Sequence, residues 1–294
     1  MSNRTAAHSR YSRVLSSLAP WRDAGGRFVP LKAAVFGLLL MPALWLLWRV
    51  LQQDLGPRPL TELIHQTGLW AFRFLLLSLA VTPLRQMLRY GRLTLVRRMT
   101  GVASAVYAAF HLLLYFANHA FVIAKALREI VTSNYLLIGL AALIGLLVLA
   151  ATSTDGMVRR LGGRRWQALH RIVYVLAPLA LWHFFLQAKA DVGEPTLMAG
   201  LLLWLLGYRL LRRIFPAGAT LPWPGLIALA LGSAACTMGG EALYFWLRSG
   251  APWLLVLETN LSIDMGLRPG MSVLLAATGV TLAALTVSIR LARR

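Results

Sequence analysis

Eight long apolar runs, separated by short polar connectors, constrain the fold of this chain more than any other feature. Each run has about 20 residues, the length that an α-helix needs to cross the hydrocarbon core of a bilayer. The charged fraction is 14%, whereas soluble domains have roughly 25%. We therefore predict an all-α polytopic membrane protein. The predicted spans lie at about 31–50, 63–82, 101–123, 135–152, 167–187, 196–214, 222–247 and 271–290.

The basic residues cluster in alternate connectors. The chain has 30 Lys and Arg residues against 10 Asp and Glu residues. If the N-terminus is cytoplasmic, 22 of the 30 cations fall on that side. Such an excess in cytoplasmic loops is typical of inner-membrane proteins. We therefore predict a multi-pass protein of the bacterial inner membrane with both termini in the cytoplasm. The eight cations outside this pattern are Arg49, Arg58, Arg73, Lys125, Arg128, Lys189, Arg248 and Arg268.

Two features divide the chain into three parts. Residues 1–30 are too long for the n-region of a signal peptide, and no small-residue cleavage site follows, so we expect an uncleaved cytoplasmic tail. At 215–224 the segment FPAGATLPWP interrupts the helical pattern with three prolines and a glycine. We predict a six-helix core at 31–214 and a two-helix C-terminal extension at 215–294.

Several redox and nucleotide-binding devices are missing from the sequence. The single cysteine, Cys236, excludes an intramolecular disulfide, a CxxC pair and a cysteine-ligated iron–sulfur cluster or zinc site. The sequence contains no P-loop and no strand–GxGxxG–helix unit. Redox chemistry would therefore need a different cofactor, and its electrons would come from membrane quinol or from another protein.

Histidine is unusually frequent inside the predicted spans. An imidazole in lipid is costly unless it faces a partner, so each of these histidines is a candidate functional residue. Neutral imidazole binds iron, and two histidines on neighbouring helices can hold a b-type haem. The alternative for each is a hydrogen bond to a neighbouring helix or an interfacial position. Apart from His8 in the tail, the histidines are His65, His111, His119, His170 and His183.

The fifth predicted span carries two of these histidines at different depths. His170 and His183 are thirteen residues apart, a rise of about 19.5 Å along an α-helix. On a straight helix their side chains would point about 140° apart. Pro178 lies between them and would permit a kink or a rewound segment. The span can therefore serve two haem levels, although ideal geometry does not place both rings on one face.

Depth also suggests which histidines pair. His111 in the third span is nearest in level to His170, and His65 at the start of the second span is nearest to His183. These two pairs would bind an inner and an outer haem. His119 lies about 12 Å beyond His111 and competes as an outer ligand. For His119, however, we favour the hydrogen-bonded or interfacial alternative.

Charged and aromatic residues near these histidines have two interpretations. Arg73 in the second span needs an anionic partner, either a haem propionate or a quinone oxygen, unless it contacts a carbonyl or reaches the interface. Arg164, Arg165 and Arg171 could meet propionates, but positive-inside anchoring already explains them. Glu241 could relay protons, but we favour a carboxyl group kept neutral by burial. Four aromatic residues could pack on a porphyrin, although ordinary packing is commoner: Trp166, Tyr174, Trp182 and Trp204.

Three segments carry a family resemblance. They are LTELIHQTGLWAFRFLLLSLAVTPLR at 60–85, RRMTGVASAVYAAFHLLLYF at 97–116, and the run from Ala151 to Phe185. The most specific part is T-S-T, a basic connector, W-Q-x-L-H and a further histidine thirteen residues on. Over residues 31–214 the chain resembles the haem-binding membrane subunits of periplasmic methionine sulfoxide reductase systems, the MsrQ or YedZ family of the ferric-reductase-like superfamily.

The resemblance implies a conduit with one or two b-type haems. Electrons would come from the quinone pool or a cytoplasmic flavin reductase, and FMN is a further cofactor that the resemblance allows. They would pass to a periplasmic molybdopterin-containing enzyme that reduces methionine sulfoxide in damaged proteins. The family's haem ligands correspond to His111, His170 and His183, and His65 also falls on a family histidine. Sulfoxide reduction itself would take place in the partner.

Two rival functions remain open at this point. A stand-alone ferric or quinone reductase would use the same haems with a different acceptor. A metal transporter or an assembly factor would use the histidines to bind a substrate metal. The helices after Pro216 depart from the family pattern, in which the core usually ends with its sixth helix, so the resemblance does not explain them.

Overall fold

The computed structural model describes residues 19–23, 25–189, 191–216, 221–262 and 266–292. Most of the predicted cytoplasmic tail, including His8, lies outside these residues. A short 3-10 helix, Gly91–Leu93, precedes the third α-helix. The α-helices of the described residues are α1 Pro30–Leu51, α2 Pro59–Met87, α3 Thr94–Asn118, α4 Ile123–Thr132, α5 Asn134–Ala151, α6 Asp155–Leu161, α7 Gly163–His170, α8 Val173–Gln187, α9 Gly193–Ile214, α10 Trp223–Ser249, α11 Trp253–Leu261 and α12 Pro269–Ala292.

The predicted fold class is confirmed: the described residues form an all-α polytopic membrane protein. Seven helical segments within these residues are long and apolar enough to cross a bilayer, and each coincides with a predicted span. They are Pro30–Leu51, Pro59–Met87, Gly91–Asn118, Asn134–Ala151, Gly163–Gln187, Trp223–Ser249 and Pro269–Leu291.

The remaining predicted span, 196–214, forms the 22-residue helix α9 but is less apolar than the others. It carries Glu194 near its start and Arg212 and Arg213 in its last turn. Much of its length is buried, including Trp204 and Tyr208. Because α9 contacts α2 and α8 on one side and α10 and α12 on the other, it joins the core to the C-terminal helices.

The surface of the bundle is apolar, as expected for a protein whose solvent is lipid. On α1, for example, the side chains of Leu38, Met41 and Leu44 are 59–60% exposed. Contiguous apolar exposure of this kind is rare on soluble monomers. The buried interior is formed mainly by side chains of α2, α5, α8 and α9.

Small and hydroxyl residues bring α2 and α3 into close contact, as is common between membrane helices. The Ser104 hydroxyl of α3 donates to the Ala71 carbonyl of α2 at 2.8 Å. Tyr107 ties α3 to α1: its hydroxyl donates to the Leu39 carbonyl at 2.9 Å and accepts from the Ala43 amide at 3.0 Å. This hydroxyl is inserted into the hydrogen-bond ladder of α1 next to the internal Pro42.

The fifth predicted span is divided into two helices. Arg171 and Ile172 form a turn between α7 and α8, and Pro178 lies inside α8. His170 and His183 therefore lie on different helices, so the angle expected for one straight helix does not apply. Pro178 is not the site of the break.

The two ends of the bundle differ in charge. We call the end that carries Arg85, Arg98, Arg159 and Arg164 the basic end, and the opposite end the distal end. At the basic end Arg98 pairs with Asp155, which joins the start of α3 to α6. The helices α10 and α12 lie within residues 215–294, and the short helix α11 lies between them in the chain.

Candidate functional site

His111 lies in α3 and is fixed by the neighbouring helix α2. Its Nδ1 atom is 2.7 Å from the carbonyl oxygen of Ile64, in the second turn of α2 at the distal end. Because a carbonyl only accepts hydrogen bonds, the neutral ring carries its proton on Nδ1. The Nε2 atom is then the unprotonated nitrogen, with a lone pair available for a metal.

His183 in α8 is held in the same way by α5. Its Nδ1 atom is 2.7 Å from the carbonyl oxygen of Tyr135, in the first turn of α5. The Tyr135 ring is nearly parallel to the imidazole, with ring centroids 6.4 Å apart and an angle of 17° between the planes. His183 therefore also donates through Nδ1 and keeps the lone pair of Nε2.

The structure brings these two histidines together. The centroids of the His111 and His183 rings are 6.4 Å apart and their planes are 84° from parallel. Within the described part of the chain, no hydrogen bond reaches the Nε2 atom of either ring. Two oriented imidazoles with available nitrogens thus lie on different helices in the distal half of the bundle.

The separation of the two rings is that of an edge-to-face contact, and it equals the separation expected for two imidazoles whose Nε2 atoms bind one iron. An imidazole nitrogen binds a first-row metal at about 2.0–2.1 Å and lies roughly 1.2 Å from the centre of its own ring, so the two centroids should be about 6.4 Å apart. The observed separation is 6.4 Å. Across the described ranges, no three His, Cys, Asp or Glu side chains converge on a metal site. Two nitrogen ligands suit haem, whose porphyrin supplies the other four.

Two glycines make room for the histidine rings. A Cβ atom on Gly139 of α5 would lie 2.7 Å from both Nδ1 and Cε1 of His183. A Cβ atom on Gly68 of α2 would lie 3.0 Å from Nδ1 of His111. Each ring therefore packs directly against the backbone of the neighbouring helix, which restricts its position.

The observed contact differs from the predicted pairs of His111 with His170 and His183 with His65. The helix that bears His111 begins at Thr94 rather than near residue 101, so His111 lies further from the basic end than the sequence suggested. The turn after His170 leaves that residue at the end of α7, near the basic end. The depth estimate assumed a single straight helix, whereas His170 and His183 lie on two helices.

His170 has a separate environment at the basic end. Its Nδ1 atom is 3.0 Å from the Trp166 carbonyl oxygen, and its Nε2 atom is 3.3 Å from the Ser153 hydroxyl oxygen. The Trp166 ring stacks on the imidazole with centroids 3.9 Å apart. The Trp166 indole donates to the Thr152 carbonyl at 2.9 Å. The T-S-T and W-Q-x-L-H segments singled out in the sequence therefore form one structural unit around His170.

His65 and His119 lie in the distal half of the bundle. His65 is exposed, and its ring centroid is 6.4 Å from that of Phe184, the residue after His183. Both nitrogens of His119 are already engaged. Its Nδ1 atom is 2.9 Å from the Tyr115 carbonyl oxygen, and its Nε2 atom is 2.7 Å from Glu129. This arrangement matches the hydrogen-bonded alternative for His119 and differs from a ligand role.

Arg73 has a protein carboxylate as its partner, which neither interpretation of the sequence included. Its guanidinium donates to Oε1 of Glu194 at 2.8 Å, across 121 positions of sequence. The guanidinium carbon also lies 4.7 Å from the centre of the Trp70 ring. The structure therefore explains the charge of Arg73 without a propionate or a quinone oxygen.

Glu241 is also paired rather than isolated. It is 1% exposed and accepts from Arg268 at 2.5 Å and from Asn260 at 2.8 Å. These contacts join α10 to α11 and to the start of α12. The predicted neutral carboxyl group is therefore replaced by an ion pair, because Arg268 reaches the same buried position.

The structure also shows the surroundings of the other arginines and aromatic residues that the sequence offered as haem contacts. Arg164, Arg165 and Arg171 are exposed at the basic end, which fits charge anchoring. Of the aromatic candidates, Trp166 contacts His170 as described, whereas Trp204 is 5% exposed in the core. The Tyr174 hydroxyl accepts a hydrogen bond from Arg209, and Trp182 lies at the surface, 62% exposed.

Sequence reasoning missed the residues that orient the histidine pair. Ile64 and Tyr135 act through backbone carbonyls, so their side-chain identities give no signal. Gly68 and Gly139 are two of 24 glycines, and nothing in the local sequence distinguishes them. A search for small residues within the predicted spans would have included both, since such residues allow close helix contact.

Comparison with known proteins adds independent findings. The family described as "Ferric reductase like transmembrane component" matches residues 67–181, a range that includes His111 and His170. The chain is 43% identical over 190 residues to the "Protein-methionine-sulfoxide reductase heme-binding subunit MsrQ" of Rhodospirillum rubrum, covering 64% of this chain and 89% of that protein. It is 40% identical to the protein of the same name from Xanthomonas campestris pv. campestris, covering 62% and 87%. No solved structure matches the chain.

Proposed function

The chain belongs to the MsrQ family of haem-binding subunits of protein-methionine-sulfoxide reductase, and from this premise we propose that it conducts electrons through b-type haem across the membrane. The observation that carries the proposal is the proximity of His111 and His183, whose Nδ1 atoms both contact backbone carbonyls and whose ring centroids are 6.4 Å apart. The family relationship supports haem as the group between them, and the ring separation supports ligation from both sides.

The protein residues hold and orient the ligand nitrogens. Haem iron supplies the chemistry, because it accepts and releases one electron at a time. The Ile64 and Tyr135 carbonyls accept the Nδ1 protons of His111 and His183, which fixes the tautomer and the ring orientation. Such hydrogen bonds also make the coordinating nitrogen more basic.

A second haem at the basic end is part of the proposal. His170 supplies one imidazole there, near the end of the bundle where arginines are abundant. The Ser153 hydroxyl is its polar neighbour, and it would have to release Nε2 for ligation. His65, in the distal half of the bundle, is the fourth histidine that we propose as a haem ligand.

The direction of electron flow follows from the proposed orientation. With the basic end in the cytoplasm, electrons enter from quinol or from a cytoplasmic flavin reductase and leave at the distal end. Three of the eight cations outside the charge pattern pair with carboxylates in the structure: Arg49 with Glu62, Arg73 with Glu194 and Arg268 with Glu241. The acceptor is a periplasmic molybdopterin-containing methionine sulfoxide reductase.

A reduced spectrum tests the ligand assignment. We expect the purified protein to show a b-type α-band after dithionite reduction. His111→Ala and His183→Ala should each lose the band of the distal haem, whereas His119→Ala should retain it because both nitrogens of His119 have protein partners. Glycine variants of His111 and His183, supplied with free imidazole, test whether a loss reflects ligation rather than misfolding. An unchanged band in both alanine variants would refute the assignment.

Haem stoichiometry tests the role of His170. If two haems are bound, His170→Ala should remove about half of the haem and leave the spectrum of the distal haem unchanged. A wild-type ratio of one haem per chain, unchanged in this variant, would restrict the proposal to the distal site and assign His170 a structural role.

The match to a ferric-reductase-like component favours one competing function, direct reduction of ferric iron. The two functions differ in their acceptor. Quinol-driven sulfoxide reduction that requires a co-purifying molybdoenzyme supports the conduit. Reduction of ferric chelates at the same rate without that partner would support the ferric reductase.

A further inference from the structure

A short helix at the distal end, α4, exposes apolar and basic residues on separate sides. It lies between the span that ends at Asn118 and the span that begins at Asn134. Its ten residues, Ile123–Thr132, are too few to cross a bilayer. Because both ends of α4 follow or precede the distal end of a span by a few residues, the helix runs along the membrane boundary.

The residues of α4 form three sides. Residues four apart in an α-helix lie on one side, because a turn contains about 3.6 residues. Ala126 and Ile130 form the buried side, at 0% and 3% exposure, and α4 contacts α3 and α5. A second side is apolar but exposed, and a third side is polar and exposed. The exposed apolar residues are Ile123, Leu127 and Val131, and the exposed polar residues are Lys125, Arg128 and Thr132.

The turn before α4 adds exposed apolar residues. Ala120 and Phe121 have positive φ angles of 51° and 56°, so the chain reverses its direction after α3. The Phe121 amide donates to the Phe116 carbonyl at 2.9 Å, which closes this turn. Phe121 and Val122 are 58% and 53% exposed. An apolar surface therefore begins in the turn and continues along α4.

The charges of α4 are separated in the same way. Its only acidic residue, Glu129, lies 2.7 Å from the Nε2 atom of His119 in the neighbouring α3 segment. Lys125 and Arg128 are exposed, and within the described part of the chain neither forms an ion pair with a carboxylate. Both belong to the eight cations outside the charge pattern. The exposed polar side of α4 therefore carries a net positive charge.

We propose that α4 lies in the lipid–water interface, with its exposed apolar side in the acyl chains and with Lys125 and Arg128 on the phosphates of anionic lipids. Interfacial helices combine an apolar side with a polar side rich in Lys and Arg. The methylene groups of such cations cover apolar surface while the charge reaches the headgroups. Lipid is the occupant because α4 joins two membrane spans at their distal ends. A protein partner would have to displace that lipid from the apolar side.

This position links the membrane surface to the surroundings of His183. The helix α5 begins one residue after α4 ends, and in its first turn the Tyr135 carbonyl oxygen lies 2.7 Å from Nδ1 of His183. The contact of Glu129 with His119 ties α4 to the end of α3. A helix held at one depth in the lipid therefore also holds the first turn of α5 at one level.

Spin labels can report the surroundings of each side of α4. In a Cys236→Ser background, Leu127→Cys and Val131→Cys place labels on the apolar side, and Thr132→Cys places one on the polar side. The full chain is studied in vesicles of phosphatidylglycerol and phosphatidylcholine. Both apolar-side labels should collide more often with oxygen, which concentrates in lipid, than with a water-soluble nickel chelate. The label at Thr132 should show the reverse order, and Leu44→Cys, on the exposed side of α1, is the control for lipid.

Two results of this mapping would overturn the proposal. Labels at Leu127 and Val131 that collide chiefly with the nickel chelate would place α4 in water, where its apolar side would be free for a protein partner. Labels at these positions that collide with neither reagent would indicate a cover of protein, such as a second copy of the chain. Each position gives its own result, so one variant that fails to fold leaves the other to decide.

Lipid-specific quenching tests the two cations. A bimane fluorophore on Val131→Cys is quenched by brominated lipids that contact it. The local affinity for brominated phosphatidylglycerol should exceed that for brominated phosphatidylcholine roughly fivefold or more, the factor for one cation near an anionic surface. The double variant Lys125→Gln and Arg128→Gln should lose this preference. Arg248→Gln, which removes another exposed cation at the distal end, should keep it.

Equal quenching by the two lipids, or a preference that persists in the double variant, would refute the role of the cations. None of the substituted residues contacts the histidine pair. The reduced spectrum should therefore stay unchanged in all these variants, and the interfacial position of α4 and the haem assignment can fail separately.

Discussion

Substitution of Gly139 by alanine should disturb haem binding more than any other single methyl addition near the site. The new Cβ atom would lie 2.7 Å from Nδ1 and Cε1 of His183, whereas ordinary contact begins at 3.4 Å. The ring or the helix must therefore move by about 0.7 Å. At Gly68 the corresponding distance to His111 is 3.0 Å, which requires a movement of 0.4 Å.

The movement required at Gly139 is larger, and that required at Gly68 smaller, than the displacement that a ligand site tolerates. Binding groups need to be held within about 0.5 Å of their productive positions. Gly139→Ala exceeds that limit and also displaces Nδ1 from the Tyr135 carbonyl, 2.7 Å away. Overpacking of a well-packed interior costs about 1–3 kcal/mol, which corresponds to a haem affinity lower by roughly 5- to 150-fold. Gly68→Ala should have a smaller effect.

Haem affinity can be measured by transfer to an excess of an apo-globin, monitored at the reduced α-band. Gly37→Ala, which meets no atom within 4 Å, is the neutral control. Gly145→Ala is the control for general destabilisation, because its methyl group would meet Leu176 rather than a histidine. Wild-type affinity and spectrum in Gly139→Ala, or a larger loss in Gly68→Ala, would refute the packing argument.

Three further predictions concern the rest of the bundle. The hydrogen bonds of His119 to the Tyr115 carbonyl and to Glu129 raise its pKa above the usual 6.5. Their stabilising effect is therefore fully present below pH 6.5 and is lost as the pH rises through the raised pKa. A melting temperature that falls over this pH range equally in wild type and His119→Gln would contradict this. Tyr107→Phe leaves an amide and a carbonyl of α1 without their partner, and thermal unfolding should show a loss of about 1–3 kcal/mol. Glu241→Gln removes the charge that pairs with Arg268 and should lower the free energy of unfolding by about 1–3 kcal/mol, with an unchanged haem spectrum. A free energy of unfolding equal to that of the wild type would show that the pair is not needed for stability.

Much of the architecture could be predicted because it depends on local properties of the chain. Spans of about 20 apolar residues are recognisable in any order and need no knowledge of their neighbours. Histidines in such spans are conspicuous, and all those proposed as ligands lie in helices of the structure. By contrast, the short helices α4 and α11 escaped prediction because each has only nine or ten residues, too few to cross a bilayer.

Contacts between distant residues could not be predicted in the same way. The partner of Arg73 is 121 positions away, and its identity depends on where α9 lies against α2. The contact between His111 and His183 differs from the pairing expected from depth, which assumed one straight helix from His170 to His183, whereas a turn at Arg171 and Ile172 divides it.

The sequence by itself determined that this chain resides in a membrane, crosses it with helices and carries histidines inside its spans. Hydropathy and side-chain type suffice for these properties, because each helix meets the lipid independently. Only the tertiary structure decided that the rings of His111 and His183 lie beside each other and that Arg73 pairs with Glu194. Those arrangements depend on the rotation and depth of each helix against its neighbours. Close contacts, such as that of Gly139 with His183, determine this rotation and depth, and no local sequence pattern encodes them.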